Sequence, residues 1–172
     1  MILTPGVYNV DGALSAFKWK GAKKIGKTHE GTVDILGGNL TVAEDGSLTG
    51  EVTLDMNSIK NTDAGMLVDT LLNHLRSDDF FSVEAHPTAK LIVKSFAEGK
   101  ITADLIIKGI TNEIIFPADL KANGQHLWGS AKFSFDRSKW NVRYGSGSFF
   151  KNLGDELIYD DIEVAIELKA AA

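Results

Sequence analysis

Residues 48–57 read Leu48-Thr49-Gly50-Glu51-Val52-Thr53-Leu54-Asp55-Met56-Asn57. Leu48, Gly50, Val52, Leu54 and Met56 fall on one side of this stretch, and Thr49, Glu51, Thr53, Asp55 and Asn57 on the other. Side chains of an extended backbone project alternately to its two faces, so this is a strand buried on one face only. The same rhythm runs through Ile101, Ala103, Leu105 and Ile107, and through Ile162, Val164, Ile166 and Leu168. It returns in Ile114, Phe116, Ala118 and Leu120, in Leu127, Ala131, Phe133 and Phe135, and more briefly in Val33 and Ile35. Gly37-Gly38, Asp45-Gly46, Glu98-Gly99, Lys108-Gly109 and Asn123-Gly124 stand between these runs as turn signals. Roughly eight to ten half-buried strands joined by tight hairpins describe an all-β antiparallel meander, which closes into a barrel or folds into a sandwich. Pro117 suits an edge or a bulge, because it has no amide to donate.

One segment has helical spacing instead. Ala64, Leu67, Val68, Leu71, Leu72 and Leu75 fall on one side, with Asp69, Asn73 and Arg76 opposite. The reading is an amphipathic helix over about residues 63–76, capped by Thr62 or Asp63 and ending at Arg76, where a cation suits the dipole. Ser77-Asp78-Asp79 then reads as the N-terminal signature of a short helical turn leading into Phe80-Phe81. Residues 143–155, rich in glycine and serine around Phe149-Phe150, read as a long loop, with residues 145–148 a flexible connection within it.

The chain has 172 residues, 44% hydrophobic and 24% charged, which suits one domain over 1–172 with a sizeable core. A formal net charge of −5 argues against nucleic acid and against an anionic membrane as the default partner, since both attract Lys and Arg. The absence of cysteine excludes disulfides, thiolate metal sites and cysteine nucleophiles. MILTPGVYNV has neither a basic start nor a long apolar run, and no later segment reaches membrane-spanning length. The expectation is a cytoplasmic protein without stable membrane insertion, or a periplasmic or secreted one if a leader was removed.

Chemistry-bearing residues gather in HLRSDDFFSVEAHP, residues 74–87. His74 and His86 with Asp78, Asp79 and Glu84 could ligate a metal, but their spacing matches no closed ligand pattern, so no metal is expected. Asp78 and Asp79 could act as acid and base, yet neighbouring residues point apart, and helix-turn capping is the simpler role. No nucleophile elbow, phosphate loop or dinucleotide fingerprint occurs, and Gly145-Ser146-Gly147-Ser148 lacks the strand-to-helix context of one.

Several stretches together resemble the YceI family of polyisoprenoid-binding proteins. They are Tyr8-x-Val10-Asp11, Leu14-Ser15, Phe17-x-Trp19-x-Gly21, His29-x-Gly31 and Gly50-x-Val52-x-Leu54-x-Met56-x-Ser58-Ile59. His74-Leu75-x-Ser77-x-Asp79-Phe80-Phe81, Pro87-x-Ala89, Gly109-Ile110-Thr111, Asp136-Arg137 and Trp140 complete the likeness, from about Gly6 to Leu168. One departure is Leu14, where the family often has histidine before the serine. The resemblance implies a single up-and-down eight-stranded antiparallel barrel, lipocalin-like, with a helix beside its mouth. It also implies an isoprenoid or isoprenoid-quinone ligand held inside, with no cofactor otherwise required.

Independently, the alternation gives a greasy lining, which is the geometry such a ligand needs. Its inward candidates are Phe17, Trp19, Val52, Leu54, Met56, Leu105, Ile107, Phe133 and Phe135. Leu67, Leu71 and Leu75 would close one mouth, and Phe80 and Phe81 either plug the core or line the entrance. His74 and Arg137 are candidate head-group contacts, with an ion pair fixing the strand end as the simpler role of Asp136-Arg137. Ala103, Ala118, Gly129 and Ala131 would leave room for a ligand or interlock with bulky neighbours, so a hollow and a filled barrel both stay open. The functional expectation is non-enzymatic lipid carriage. The alternatives are an enzyme acting on a lipid-like substrate at the mouth, and a filled barrel serving as an interaction scaffold. A homodimer is compatible with any of the three.

Overall fold

The computed structural model describes residues 3–63 and 68–172. Nine strands occur in it: β1 (Gly6–Val10), β2 (Ala16–Ala22), β3 (Thr28–Val42), β4 (Leu48–Asn61), β5 (Thr88–Ala97), β6 (Lys100–Ile107), β7 (Ile110–Ala122), β8 (His126–Asp136) and β9 (Asp161–Ala171). Helix α1 (Val68–Arg76) lies between β4 and β5. From β2 onward each strand pairs antiparallel with the next, and β9 returns to pair with β2, so the sheet closes on itself.

Nine strands make an eight-stranded barrel because one stave is in two pieces. Both β1 and β2 lie antiparallel between β3 and β9, β1 opposite Asn39–Val42 and β2 opposite Thr28–Val33. Asp11–Ser15 interrupts them in a turn whose Asp11 carboxylate accepts the Ala13 and Leu14 amides at 2.9 and 3.1 Å. Leu14 points outward there and is exposed. Closure removes the open strand edges that would otherwise pair with other chains. Among the described residues, no helix is long and apolar enough to cross a membrane.

Four of the five predicted turn pairs reverse the chain. Gly37-Gly38 does not: β3 runs straight through it, with a register shift between Ile35 and Gly37. These glycines serve a close approach rather than a reversal. Gly38 has φ +146°, and a Cβ on it would stand 2.0 Å from the Glu51 carbonyl oxygen. Pro117 lies inside β7, opposite Lys100 of β6, at the point before pairing with β8 begins at Ala118. Its missing amide therefore faces no partner strand on the β8 side.

A second irregularity seats the helix. Asp34 pairs with Asp55, but Thr32 pairs with Lys60, so residues 56–59 form an excursion of β4. Met56 and Ile59 are both buried, which breaks the period of two. The Arg76 guanidinium at the end of α1 donates to the Asn57 and Ile59 carbonyls at 3.3 and 3.2 Å. Leu67 and the start of the expected helix lie outside the described residues.

Two local expectations need correcting. The Asp63 carboxylate turns to β3, not to the helix, accepting the Glu30 amide and meeting His29. Ser77 does not cap a following turn: its hydroxyl donates back to the His74 carbonyl at 2.6 Å, satisfying one of the last carbonyls of α1. The Phe81 and Val83 amides reach the Leu75 and Arg76 carbonyls at 3.1 and 3.0 Å and complete that end. The chain then turns twice, over residues 78–81 and 83–85, before entering β5.

At the opposite end the barrel is shut. Tyr8 is fully buried, its hydroxyl donating to the Thr4 carbonyl at 2.7 Å, while the Thr4 hydroxyl donates to the Ala122 carbonyl at 3.0 Å. Leu3, Leu48 and Leu127 are buried with it.

Candidate functional site

The interior is hollow. A cavity of about 460 Å³ reaches from Leu48, Leu120 and Leu168 near the shut end to Lys23, Asn61 and Thr70 at the other. β4 lines it at both ends, and a 14-residue strand at about 3.3 Å per residue, tilted by about 40°, spans roughly 35 Å of depth. The cavity is thus drawn out along the barrel as a tunnel.

The walls are the inward faces of the staves. Phe17 and Trp19 come from β2, Val52, Leu54 and Met56 from β4, Leu105 and Ile107 from β6, and Phe133 and Phe135 from β8. From α1, Thr70, Leu71, His74 and Leu75 face the cavity, a spacing that keeps them on one side of a helix. Phe80 and Phe81 line it from the turn after α1. Of the small residues, Ala118, Gly129 and Ala131 border the cavity, whereas fully buried Ala103 does not reach it.

His74 stands edge-on to Phe80 and Tyr144, with ring centroids 4.9 and 4.1 Å away, and its Nε2 is 3.8 Å from the Asp79 carboxylate. Asp78 is turned elsewhere, accepting the Ser82 hydroxyl at 2.6 Å. His86 lies against Gly109 in the β6–β7 turn, apart from His74.

Arg137 also borders the cavity, and each of its three nitrogens already donates to a backbone carbonyl. Nε, Nη1 and Nη2 donate to the Tyr159, Val142 and Ile158 carbonyls at 3.3, 3.1 and 3.2 Å. The carboxylate beside it is Asp160, at 3.5 Å, rather than Asp136. Asp136 instead caps the short 3-10 turn Arg137–Trp140 through the Ser138 amide and hydroxyl. Burial lowers the Arg137 pKa against the pull of Asp160 and Asp136, and a guanidinium still keeps its charge at neutral pH.

Residues 143–155 form the expected loop, but residues 145–148, expected as a flexible connection, are pinned at this end: Ser146 is fully buried and bridges to Ile158, as does Lys23.

A polar rim went unread in the sequence. Lys23, Lys27, His29, Asn61, Asp63 and Thr70 border the open end, and His29 Nδ1 lies 2.6 Å from Asp63. Partial burial raises the Asp63 pKa, but hydrogen bonds from His29 and the Glu30 amide, with the His29 charge and Asn61, outweigh it and leave the carboxyl below its ordinary value. The inward parity of Val33 and Ile35, continued back through Gly31, would have pointed His29 at the interior. Deeper in, the Trp19 indole lines the cavity, and its buried Nε1 has no hydrogen-bond partner. A buried donor without an acceptor is uncommon in folded proteins.

The family model for the YceI-like domain matches residues 8–170. A UPF0312 protein of Photorhabdus laumondii is 31% identical over 98 residues, 55% of this chain and 50% of that protein. A UPF0312 protein of Staphylococcus aureus is 46% identical over 52 residues, covering 30% of this chain and 29% of that one. The chain thus spans half or less of the length of these curated relatives. Among solved structures, BcnA of Burkholderia cenocepacia superposes with a TM-score of 0.72 at 21% identity, covering 94% of this chain and 99% of that one. A polyisoprenoid binding domain of Saccharophagus degradans, implicated in plant cell wall breakdown, gives 0.70 at 16% identity, covering 96% and 98%. Identities this low establish a shared barrel fold.

Proposed function

The chain belongs to the family of YceI-like domains, and from that premise we propose that it binds and carries an amphiphilic isoprenoid lipid, a polyisoprenoid or an isoprenoid quinone, without chemical turnover. The observation that carries this reading is the apolar tunnel itself, open at a polar rim and shut at the other end. A prenyl chain burying on the order of 500 Å² of apolar surface gains roughly 12 kcal/mol at 25 cal/mol per Å². Fixing the chain takes back several of these, which leaves an affinity in the micromolar range or tighter.

In this reading the tail lies against Val52, Leu54, Leu105, Phe133 and Phe135, with Leu71, Leu75, Phe80 and Phe81 covering its upper part. The head sits beside His29, Asn61 and His74 at the rim. Arg137 holds the loop around it, through three hydrogen bonds to backbone carbonyls. Nothing in this role needs a cofactor beyond the lipid.

Native mass spectrometry of gently purified protein, followed by solvent extraction, tests the proposal. One prenyl lipid per chain is the expected result, with quenching of tryptophan fluorescence on adding a prenyl quinone that is weaker in Trp19→Phe, where Trp128 and Trp140 remain. A protein that stays empty and takes up no prenyl chain overturns it. The His29–Asp63 pair is the feature that favours the enzymatic alternative, because a carboxylate-oriented imidazole can act as a base. Conversion of an added prenyl lipid, lost in His29→Gln, would replace carriage with that reading.

A further inference from the structure

The loops around the open end carry a surface unlike the rest of the barrel. Residues 22–28, the β2–β3 hairpin, lie beside residues 143–160: the Lys24 amide donates to the Leu157 carbonyl and the Tyr159 amide to the Ala22 carbonyl, both at 2.9 Å. Ile25 at the hairpin tip is 57% exposed. Phe149 and Phe150, 40% and 49% exposed, stand on a turn whose amides fold back onto the Ser146 carbonyl. With Tyr144 and Tyr159, this end holds five of the ten large hydrophobic side chains exposed among the described residues.

The charge is also local. The two segments contain five basic residues and three acidic ones, in a chain of net charge −5. Of the three carboxylates, Glu156 faces Lys23 at 3.5 Å, and Asp160 sits by Arg137 while accepting the Ser148 hydroxyl at 2.6 Å. Lys24 and Lys27 share the hairpin tip with Ile25, and the Arg143 guanidinium lies over the Phe149 ring at 4.7 Å. The whole-chain charge argues against an anionic surface as partner, but binding responds to the face presented.

Aromatic and aliphatic tips interleaved with lysines match the interface of a lipid bilayer, where apolar groups enter the acyl boundary and ammonium groups meet lipid phosphates. A second copy of this chain fits less well, because a two-fold contact through this face would set its lysines against each other. Location adds the decisive point: Lys23, Lys27 and Tyr144 belong both to this surface and to the cavity rim. A prenyl tail leaving the tunnel into water would expose its whole apolar area, and leaving into a bilayer would not.

We propose that the open end docks peripherally on anionic lipid bilayers. Ile25, Phe149 and Phe150 enter the interface, Lys23, Lys24 and Lys27 meet lipid phosphates, and the tunnel faces the acyl chains. The proposal rests on lipid carriage for its purpose but is tested apart from it.

The full chain is floated with vesicles of phosphatidylcholine alone and of phosphatidylcholine with phosphatidylglycerol. Binding is expected to the mixed vesicles, weakening as salt rises. Lys24→Ala, which leaves the cavity-lining Lys23 and Lys27 in place, lowers the partition coefficient by about fivefold. Phe149→Ser with Phe150→Ser abolishes binding even to anionic vesicles. Both variants alter exposed side chains and keep prenyl binding in solution, read by tryptophan fluorescence, which separates docking from carriage. Equal partition into neutral and anionic vesicles, binding untouched in both variants, or a dimer broken by the phenylalanine changes would each overturn the proposal. Vesicle binding by a wild-type protein that takes no prenyl chain would leave docking standing and sink carriage.

Discussion

Gly38 and Gly50 face each other diagonally across β3 and β4, and each sits where a side chain has no room. A Cβ at Gly50 would stand 2.1 Å from the Asn39 carbonyl oxygen at a φ of +146°, much as one at Gly38 would meet Glu51. Backbone strain and overpacking each cost about 1–3 kcal/mol, so Gly50→Ala should lose roughly 3 kcal/mol or more in urea unfolding. A loss under about 1 kcal/mol would show that the strands part easily there.

Asp63 sets a pH dependence. Its folded pKa lies below the unfolded one, so its contribution is fully present above about pH 4 and fades as the pH falls through the folded value. Wild-type unfolding midpoints should therefore drop more steeply in acid than those of Asp63→Asn. Parallel profiles would mean that the carboxylate is equally well placed in the unfolded chain.

At the level of elements, β7 and β8 meet through Ala118 and Ala131, directly paired small residues on the cavity wall. Ala131→Phe places a ring in the tunnel. It should reduce prenyl binding at least about tenfold while the thermal midpoint holds or rises, because the ring fills a void. Unchanged binding would show that the tail stops short of this level.

The strands themselves were legible because water on one side and lipid-like packing on the other write a period of two into the chain. Leu48–Met56 and Ile162–Leu168 follow it and lie on the wall. The departures from that period were not legible. The excursion over residues 56–59 and the interruption at Asp11–Ser15 depend on which strand lies opposite, and Gly37-Gly38 has the composition of a turn although its neighbour's backbone is what requires it. The rim was missed for a related reason. His29 and Asp63 are 34 residues apart, and it is the shifted register of the long β3–β4 hairpin, with Gly31 opposite Asn61, that brings them together.

For the molecule as a whole, the hollow interior has a mechanical consequence. A folded state that encloses unfilled space occupies more volume than its unfolded chain, and hydrostatic pressure favours the smaller state in proportion to the space eliminated. With about 460 Å³ between its walls, this barrel should unfold at lower pressure than Ala131→Phe, even where their stabilities at ambient pressure agree. Pressure unfolding followed by Trp140 fluorescence would show it, the indole being buried and bonded to the Leu105 carbonyl at 2.9 Å. A lipid in the tunnel should shift the transition upward in the same way. The pressure at which the protein unfolds would then report its cargo: an empty barrel yields, and a loaded one resists.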